Sequence, residues 1–134
     1  MKIGEVAKRT GLSIDTLRFY EKIGLIDQPL RDGAGRRDYG ADMLEWIAFL
    51  GRLNATGMKQ ADRVRYADLR RKGDATLAMR RDMIEAHRRQ VVQQIAMLTD
   101  SLDFLDAKIE TYRDMERDYD RHTSATGPDH RRTA

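Results

Sequence analysis

Residues 13–26 read SIDTLRFYEKIGLI, a short helix with a recognisable signal at each end. Ser13 is a preferred N-cap residue, and Gly24 suits the left-handed turn that closes many helices. The stretch therefore predicts a helix over residues 14–23, with Leu17 and Ile23 on its buried side.

A second short helix is predicted immediately before this one. In residues 3–8 the apolar side chains of Ile3, Val6 and Ala7 recur at helical spacing, and Gly11 then breaks the pattern. Two short helices joined by a glycine-containing turn are typical of a helix-turn-helix.

The next segment has the composition of a loop or β-wing. Residues 25–39 contain Pro29, Gly33, Gly35 and paired arginines, with possible short strands at 25–26 and 37–39. Asp42 is expected to cap a third helix that ends near Gly57. A fourth helix is expected over residues 58–72.

The remaining chain predicts one long helix, because residues 75–126 contain neither proline nor glycine. Apolar side chains repeat every seven residues from Leu77 to Tyr119, which is typical of a coiled coil. A helix of roughly 45 residues is about 68 Å long, too long to pack only on its own small domain. We call the following positions the seam and expect them to form a dimer interface: Ile84, Val91, Ile95, Leu98, Leu102, Leu105, Ile109 and Tyr112.

These elements predict a mainly α fold. A winged helix-turn-helix DNA-binding domain is expected over residues 1–72, followed by a coiled-coil dimerisation helix over 73–121. Residues 122–134, with Gly127 and Pro128, are expected to form a disordered tail.

Composition narrows the function classes. The 134 residues have 35% charged side chains, and residues 1–72 hold 15 Lys and Arg against 10 Asp and Glu, which suits a polyanionic partner. No apolar stretch is long enough to span a membrane or to act as a secretory signal, so a cytoplasmic protein is expected. The absence of cysteine excludes disulfides, thiolate metal sites and thiol-based sensing.

The second helix and the wing carry side chains suited to DNA. Arg18 on the predicted recognition helix can form a bidentate contact with guanine or phosphate, and arginines on the wing can contact the flanking backbone. Our candidate DNA-binding residues are Lys2, Thr16, Arg18, Tyr20, Lys22, Arg36, Arg37 and Tyr39.

No comparable case exists for catalysis or metal binding. His87, His122 and His130 are scattered along the sequence. Asp118 and His122 lie four residues apart on one helical face, but two ligands do not make a metal site. The sequence contains no glycine-rich phosphate loop and no nucleophile motif. We therefore predict no enzyme activity, no metal and no cofactor.

The N-terminal half resembles the MerR (mercury-resistance regulator) family. The matching segments are residues 3–7, 11–13 and 16–26, followed at the expected distance by Arg36-Arg37-Asp38-Tyr39. The resemblance covers residues 1–70 and implies a homodimer on a pseudo-palindromic promoter operator. It also implies control of transcription by RNA polymerase through distortion of an overlong promoter spacer.

A weaker resemblance to the aldehyde-responsive subgroup of this family extends past residue 70. The residues that carry it are Tyr66, 73–76, Arg80, 87–88, 105–106, 108–109 and Tyr112. The reactive cysteine of that subgroup would fall near residues 51–52, where the chain has Gly51 and Arg52. The effector, the target genes and the sign of regulation stay open, as does the relative direction of the two dimer helices.

Two alternatives remain beside the promoter regulator. An architectural DNA-binding protein could use the same helix-turn-helix without activating a promoter. A coiled-coil adaptor could instead bind a protein through its N-terminal domain. The cationic wing disfavours the adaptor, whereas DNA footprinting would separate the other two.

Overall fold

The structure is a computed structural model that describes the backbone of residues 1–133 and the side chains of residues 1–124. The helices are α1 (Ile3–Thr10), α2 (Ile14–Ile23), α3 (Asp42–Ala55), α4 (Gln60–Arg71) and α5 (Leu77–Thr133). Two short strands, β1 (Leu30–Arg31) and β2 (Arg37–Asp38), lie between α2 and α3, and a 3₁₀ turn covers Asp74–Thr76. The predicted mainly α fold with a small wing is confirmed.

The two ends of α2 form as the sequence predicts. The Ser13 hydroxyl oxygen accepts a hydrogen bond from the Thr16 N–H at 3.0 Å, which satisfies a free backbone donor in the first turn. Gly24 adopts φ 84°, a conformation that costs other residues energy, and its N–H donates to the Glu21 carbonyl. The Leu25 N–H then donates to the Tyr20 carbonyl at 2.9 Å. These bonds fix the direction in which the chain leaves α2.

The position of the first strand was predicted incorrectly. Leu25 and Ile26, interpreted as a strand, are 0% and 1% exposed in the core and follow α2 as a turn. Strand β1 forms instead at Leu30–Arg31 and pairs antiparallel with β2, with Leu30 opposite Asp38 and Arg31 opposite Arg37. An apolar pair beside a glycine fits a buried turn as well as a buried strand, because periodicity cannot separate such short runs.

Two predicted helix starts also shift. Asp42 is the first residue of α3 rather than its cap, since Ala41 holds the N-cap position without a side-chain hydrogen bond. Helix α4 begins at Gln60, two residues after the predicted start. Neither shift changes which apolar side chains point inward.

The first compact unit, Met1–Val91, is called the head. Its core contains Val6, Leu17, Leu25, Ile26, Tyr39, Trp46, Ile47, Leu50 and Ala67. The Trp46 indole N–H donates to the Leu25 carbonyl at 2.8 Å, so the one polar atom of this large side chain is satisfied inside the core. Each fully buried aliphatic side chain stabilises such a core by about 1.5–3 kcal/mol.

The first residues of α5 belong to the compact unit that we call the head, which extends to Val91. His87 is 8% exposed, and its Nε2 lies 2.6 Å from the Thr56 hydroxyl oxygen. The Thr56 hydroxyl also donates to the Arg52 carbonyl at 2.7 Å, at the C-terminal end of α3. His87 thus packs against the end of α3.

The second compact unit covers Val92–Ala134. Its described side chains, residues 92–124, belong to α5, and almost all of them are exposed. The disordered tail predicted for residues 122–134 falls mostly on side chains outside the described residues and stays a prediction. No helix in the described part of the chain is long and apolar enough to cross a membrane.

Candidate DNA-binding surface

A groove of about 620 Å³ opens beside α2 and the wing, which we define as residues 30–38. It is lined by Ile3, Arg18, Glu21, Lys22, Gln28 and Arg37. Three of these six side chains are cationic and come from two separate elements. Such a concentration of positive charge suits a phosphate backbone.

Arg18 and Lys22 are presented together by the geometry of α2. They lie four residues apart, so they project from the same face of the helix, and both are exposed. Leu17 projects the other way and is 0% exposed in the core. The buried leucine holds the helix against the head, while the two cations face the groove.

Glu21 connects α2 to the wing. Its side chain is only 5% exposed, and Oε2 accepts a hydrogen bond from the Arg37 Nη1 at 3.1 Å. Oε1 accepts a hydrogen bond from the Tyr39 hydroxyl. Arg37 itself remains 43% exposed and lines the groove. The guanidinium is therefore anchored at one nitrogen and still accessible.

Tyr39 occupies a different environment from the one expected. We expected its hydroxyl on the wing surface, where it would bind phosphate, but the residue is 2% exposed and belongs to the core. Burial raises the pKa of Tyr39 to about 12, helped by the hydrogen bond and the negative charge of Glu21. In this geometry the hydroxyl donates its hydrogen to Glu21 Oε1 and not towards the groove.

Lys2 is anchored to the wing turn. Its Nζ lies 2.5 Å from Asp32 Oδ2 and 3.4 Å from the Arg37 carbonyl. Asp32 Oδ1 also accepts from the N–H groups of Ala34 and Arg36, each at 2.9 Å. The Lys2 hydrogen bond, followed by the one from Arg36, lowers the pKa of Asp32. Lys2 thus supports the turn and would have to share its charge with any phosphate.

The other candidates lie outside the groove. Thr16 accepts from the Ser13 hydroxyl at 2.9 Å and belongs to the cap of α2. Tyr20 is half-buried, packs on the core and lines a second groove with Leu12, Leu44 and Ile47. Arg36 is exposed on the wing turn. Of the eight predicted residues, the structure brings together Arg18, Lys22 and Arg37.

Sequence reasoning missed Ile3, Glu21 and Gln28 as groove residues. The position of Glu21 could have been inferred from the sequence. It is a carboxylate between Arg18 and Lys22 on a surface predicted to bind DNA, and its charge requires a neutralising partner there. Gln28 and Ile3 gave none, because their side chains carry no charge and their place depends on how the chain leaves α2.

The seam forms a second candidate surface. Ile84 and Val91 are half-buried, whereas the seam residues beyond them are exposed. The exposed fractions are 58% for Ile95, 64% for Leu98, 58% for Leu102, 55% for Leu105, 48% for Ile109 and 53% for Tyr112. An uncovered apolar row of this length on a helix is typical of a surface that binds a protein.

The histidines and carboxylates of the described residues do not form a metal site. The described residues contain no group of three or more His, Asp or Glu placed to hold a metal ion. His87 is engaged with Thr56, and His122 lies on the exposed part of α5.

Comparison with known proteins agrees with the geometry. The family model described as "MerR family regulatory protein" matches residues 2–39, which include α1, α2 and both strands up to Tyr39. The transcriptional regulator AdhR of Bacillus subtilis is 33% identical over 93 residues, 69% of this chain and 66% of AdhR. A helix-turn-helix-type transcriptional regulator of Haemophilus influenzae is 37% identical over 81% of each chain.

Solved structures extend the likeness beyond the helix-turn-helix. A MerR family transcriptional regulator from Listeria monocytogenes superimposes with a TM-score of 0.78 at 31% identity, covering 91% of this chain and 98% of that one. HiNmlR, described as a MerR family regulator lacking the sensor domain and bound to promoter DNA, gives 0.76 at 34% identity, covering 87% and 92%. Members of the family are DNA-binding regulators and not enzymes. From the helix-turn-helix, the cationic wing and relatives matched over most of their length, it follows that this chain belongs to the MerR family of transcription regulators.

Proposed function

We propose that this regulator binds a pseudo-palindromic promoter operator as a homodimer and controls transcription by distorting the promoter spacer. The groove that places Arg18 and Lys22 of α2 beside Arg37 of the wing carries the proposal. Arg18 would read base edges from the recognition helix, while Arg37 would contact the flanking phosphates. Base reading and backbone contact would thus come from neighbouring elements.

The homodimer rests on the exposed seam. A row of leucine and isoleucine side chains at heptad spacing needs a matching row, and a second copy of the chain supplies one. Two-fold symmetry of the protein would then require two related half-sites in the DNA. A single head would contact only half of such an operator.

Spacer distortion is proposed from the family and from one neighbour. HiNmlR is described as lacking the sensor domain and as bound to promoter DNA, and this chain covers 92% of it. A regulator of this size would act on promoter DNA with its own heads, and RNA polymerase would bind the same promoter in the cytoplasm. Contacts at both half-sites would offset the free-energy cost of bending the DNA.

Any effector must act without a protein thiol. The chain contains no cysteine, so neither alkylation nor a thiophilic metal can act on a sulfhydryl of this protein. This separates the chain from a cysteine-based aldehyde sensor even where the rest of the sequence resembles that subgroup.

Binding of matched duplexes tests the DNA-binding step. Fluorescence anisotropy would measure the affinity of the protein for two duplexes. One carries the promoter upstream of this gene, or that of a divergently transcribed neighbouring gene, and the other has the same base composition in scrambled order. We expect the operator to bind at least about 1,000-fold more tightly at physiological salt. Equal affinity for both duplexes would favour an architectural protein and contradict the proposal.

A spacer series tests the mechanism. In vitro transcription would use promoters whose spacers differ by single base pairs, with and without the protein. We expect a shortened spacer to raise transcription without the protein, as the activated regulator does on the native spacer. If the shortened promoter stays silent while the protein activates the native one, recruitment of polymerase is the better explanation.

A further inference from the structure

Glu21 is the one groove side chain whose charge opposes DNA binding. It sits on α2 between Arg18 and Lys22 and lines the same groove, yet its side chain is 5% exposed. A carboxylate near phosphates weakens binding unless a partner neutralises it. The contacts of Glu21 show which partners it has.

The two carboxylate oxygens of Glu21 accept hydrogen bonds from one residue of the wing and from the residue that directly follows it. Oε2 accepts from Arg37 Nη1 at 3.1 Å, and Oε1 accepts from the Tyr39 hydroxyl. These partners lie 16 and 18 residues further along the chain, in and just after β2. Because Tyr39 is fixed in the core, the second bond holds the carboxylate at a defined position relative to the wing.

We infer that Glu21 is a positioning residue that orients the Arg37 guanidinium for a phosphate contact. The inference rests on the proposed DNA-binding function. A guanidinium carries five N–H donors, so a contact through Nη1 leaves others for a phosphate oxygen. An arginine already held in one orientation loses less side-chain entropy when DNA arrives. Glu21 would thereby preorganise the wing from the recognition helix.

The opposite role would be competition, in which Glu21 withholds Arg37 from DNA. The geometry favours positioning, because Arg37 remains 43% exposed and lines the groove while paired. A competing carboxylate would be expected to cover the guanidinium. Loss of the Glu21 charge should strengthen operator binding if Glu21 competes for Arg37 and should weaken it if Glu21 positions Arg37, so a binding measurement separates the two roles.

A double-mutant cycle on the full chain provides the test. The variants are Glu21→Gln, Arg37→Ala and the double substitution, assayed by anisotropy on operator and scrambled duplexes. Glutamine keeps an oxygen acceptor for the Tyr39 hydroxyl and removes the charge. We expect Glu21→Gln to weaken operator binding about fivefold in the native background and less than about twofold with Arg37→Ala.

Glu5→Gln is the matched control. It removes an equal charge from α1. Glu5 forms an ion pair with Arg9 at 2.8 Å, and neither residue lines the groove. We expect this control to bind at least as tightly as the native protein. Tighter binding by Glu21→Gln beyond that of the control would show competition and overturn the inference. An equal loss in both Arg37 backgrounds would also overturn it.

Side-chain dynamics of the native protein test the inference without any substitution, in case Glu21→Gln fails to fold. Nitrogen relaxation of the free protein should show the Arg37 Nε–H to be more ordered than that of Arg36 on the wing turn. Equal mobility of the two would overturn the positioning role. If the native protein shows no preference for the operator, the proposed function fails; if it binds but the cycle is additive, only this inference fails.

Discussion

Leucine side chains are buried in the head and exposed in the second unit. In the head, Leu17, Leu25 and Leu50 are 0–1% exposed, and the polar N–H of Trp46 is satisfied internally. In residues 92–124, Leu98 and Leu102 are 64% and 58% exposed. These leucines of the head are covered by the chain itself, whereas the described side chains of the second unit leave a row of apolar surface uncovered. Helices stay marginal in water without a buried face, so we expect the proposed second copy of the chain to stabilise this region.

The largest effect is expected from charging the seam. Leu98→Asp with Leu102→Asp removes four apolar side chains from a dimer, each worth about 1.5–3 kcal/mol, and places carboxylates where they would be buried. We expect monomers by light scattering and loss of helical circular dichroism, with the head still folded. Operator affinity should fall with the dimer.

Ala96→Asp with Ala107→Asp is the control for that experiment. Both alanines are exposed on α5 and lie off the seam, so the same charge is added without touching it. We expect this variant to remain a dimer. A dimer that survives Leu98→Asp with Leu102→Asp would show that the seam is misassigned.

The next effect concerns the head core. Leu17→Ala removes a 0% exposed side chain and should destabilise the head by about 2–5 kcal/mol, because the cavity adds to the lost burial. Chemical denaturation followed by Trp46 fluorescence would report this unit alone, since the chain has a single tryptophan. Leu30→Ala, at a position 84% exposed, should change stability by no more than about 0.5 kcal/mol. Equal losses at both positions would contradict the assigned core.

This contrast also explains which parts of the structure could be predicted. Helix α2 and the seam follow from local signals, namely the Ser13 cap, Gly24 and a seven-residue repeat. The first strand was misplaced because Leu25 and Ile26 are buried by tertiary packing that a two-residue apolar run does not specify. Arg18 and Lys22 were found from their helix face, whereas the Glu21 contacts with the wing depend on a turn that brings distant residues together.

A smaller effect should separate base reading from backbone contact within the head. Arg18→Ala should weaken operator binding by about 1–3 kcal/mol and relax preference at the contacted base pair. Arg37→Ala should weaken all duplexes alike and reduce the salt slope by about 1. Anisotropy over a salt series on operator and scrambled duplexes measures both. Equal losses on the two duplexes for Arg18→Ala would exclude it as a base reader.

The smallest effect is a titration confined to the head. Tyr39 has a pKa raised to about 12, so its neutral form is favoured by folding. This contribution to stability is complete below the ordinary tyrosine pKa of 10.0 and is lost as the pH rises towards 12. Ultraviolet absorbance of tyrosinate should show a late step for Tyr39, unless the head unfolds first. Tyr39→Phe should abolish that step, whereas Tyr112→Phe, at a seam position 53% exposed, should leave it in place. A late step that survives Tyr39→Phe would belong to another group and would contradict its assignment to Tyr39.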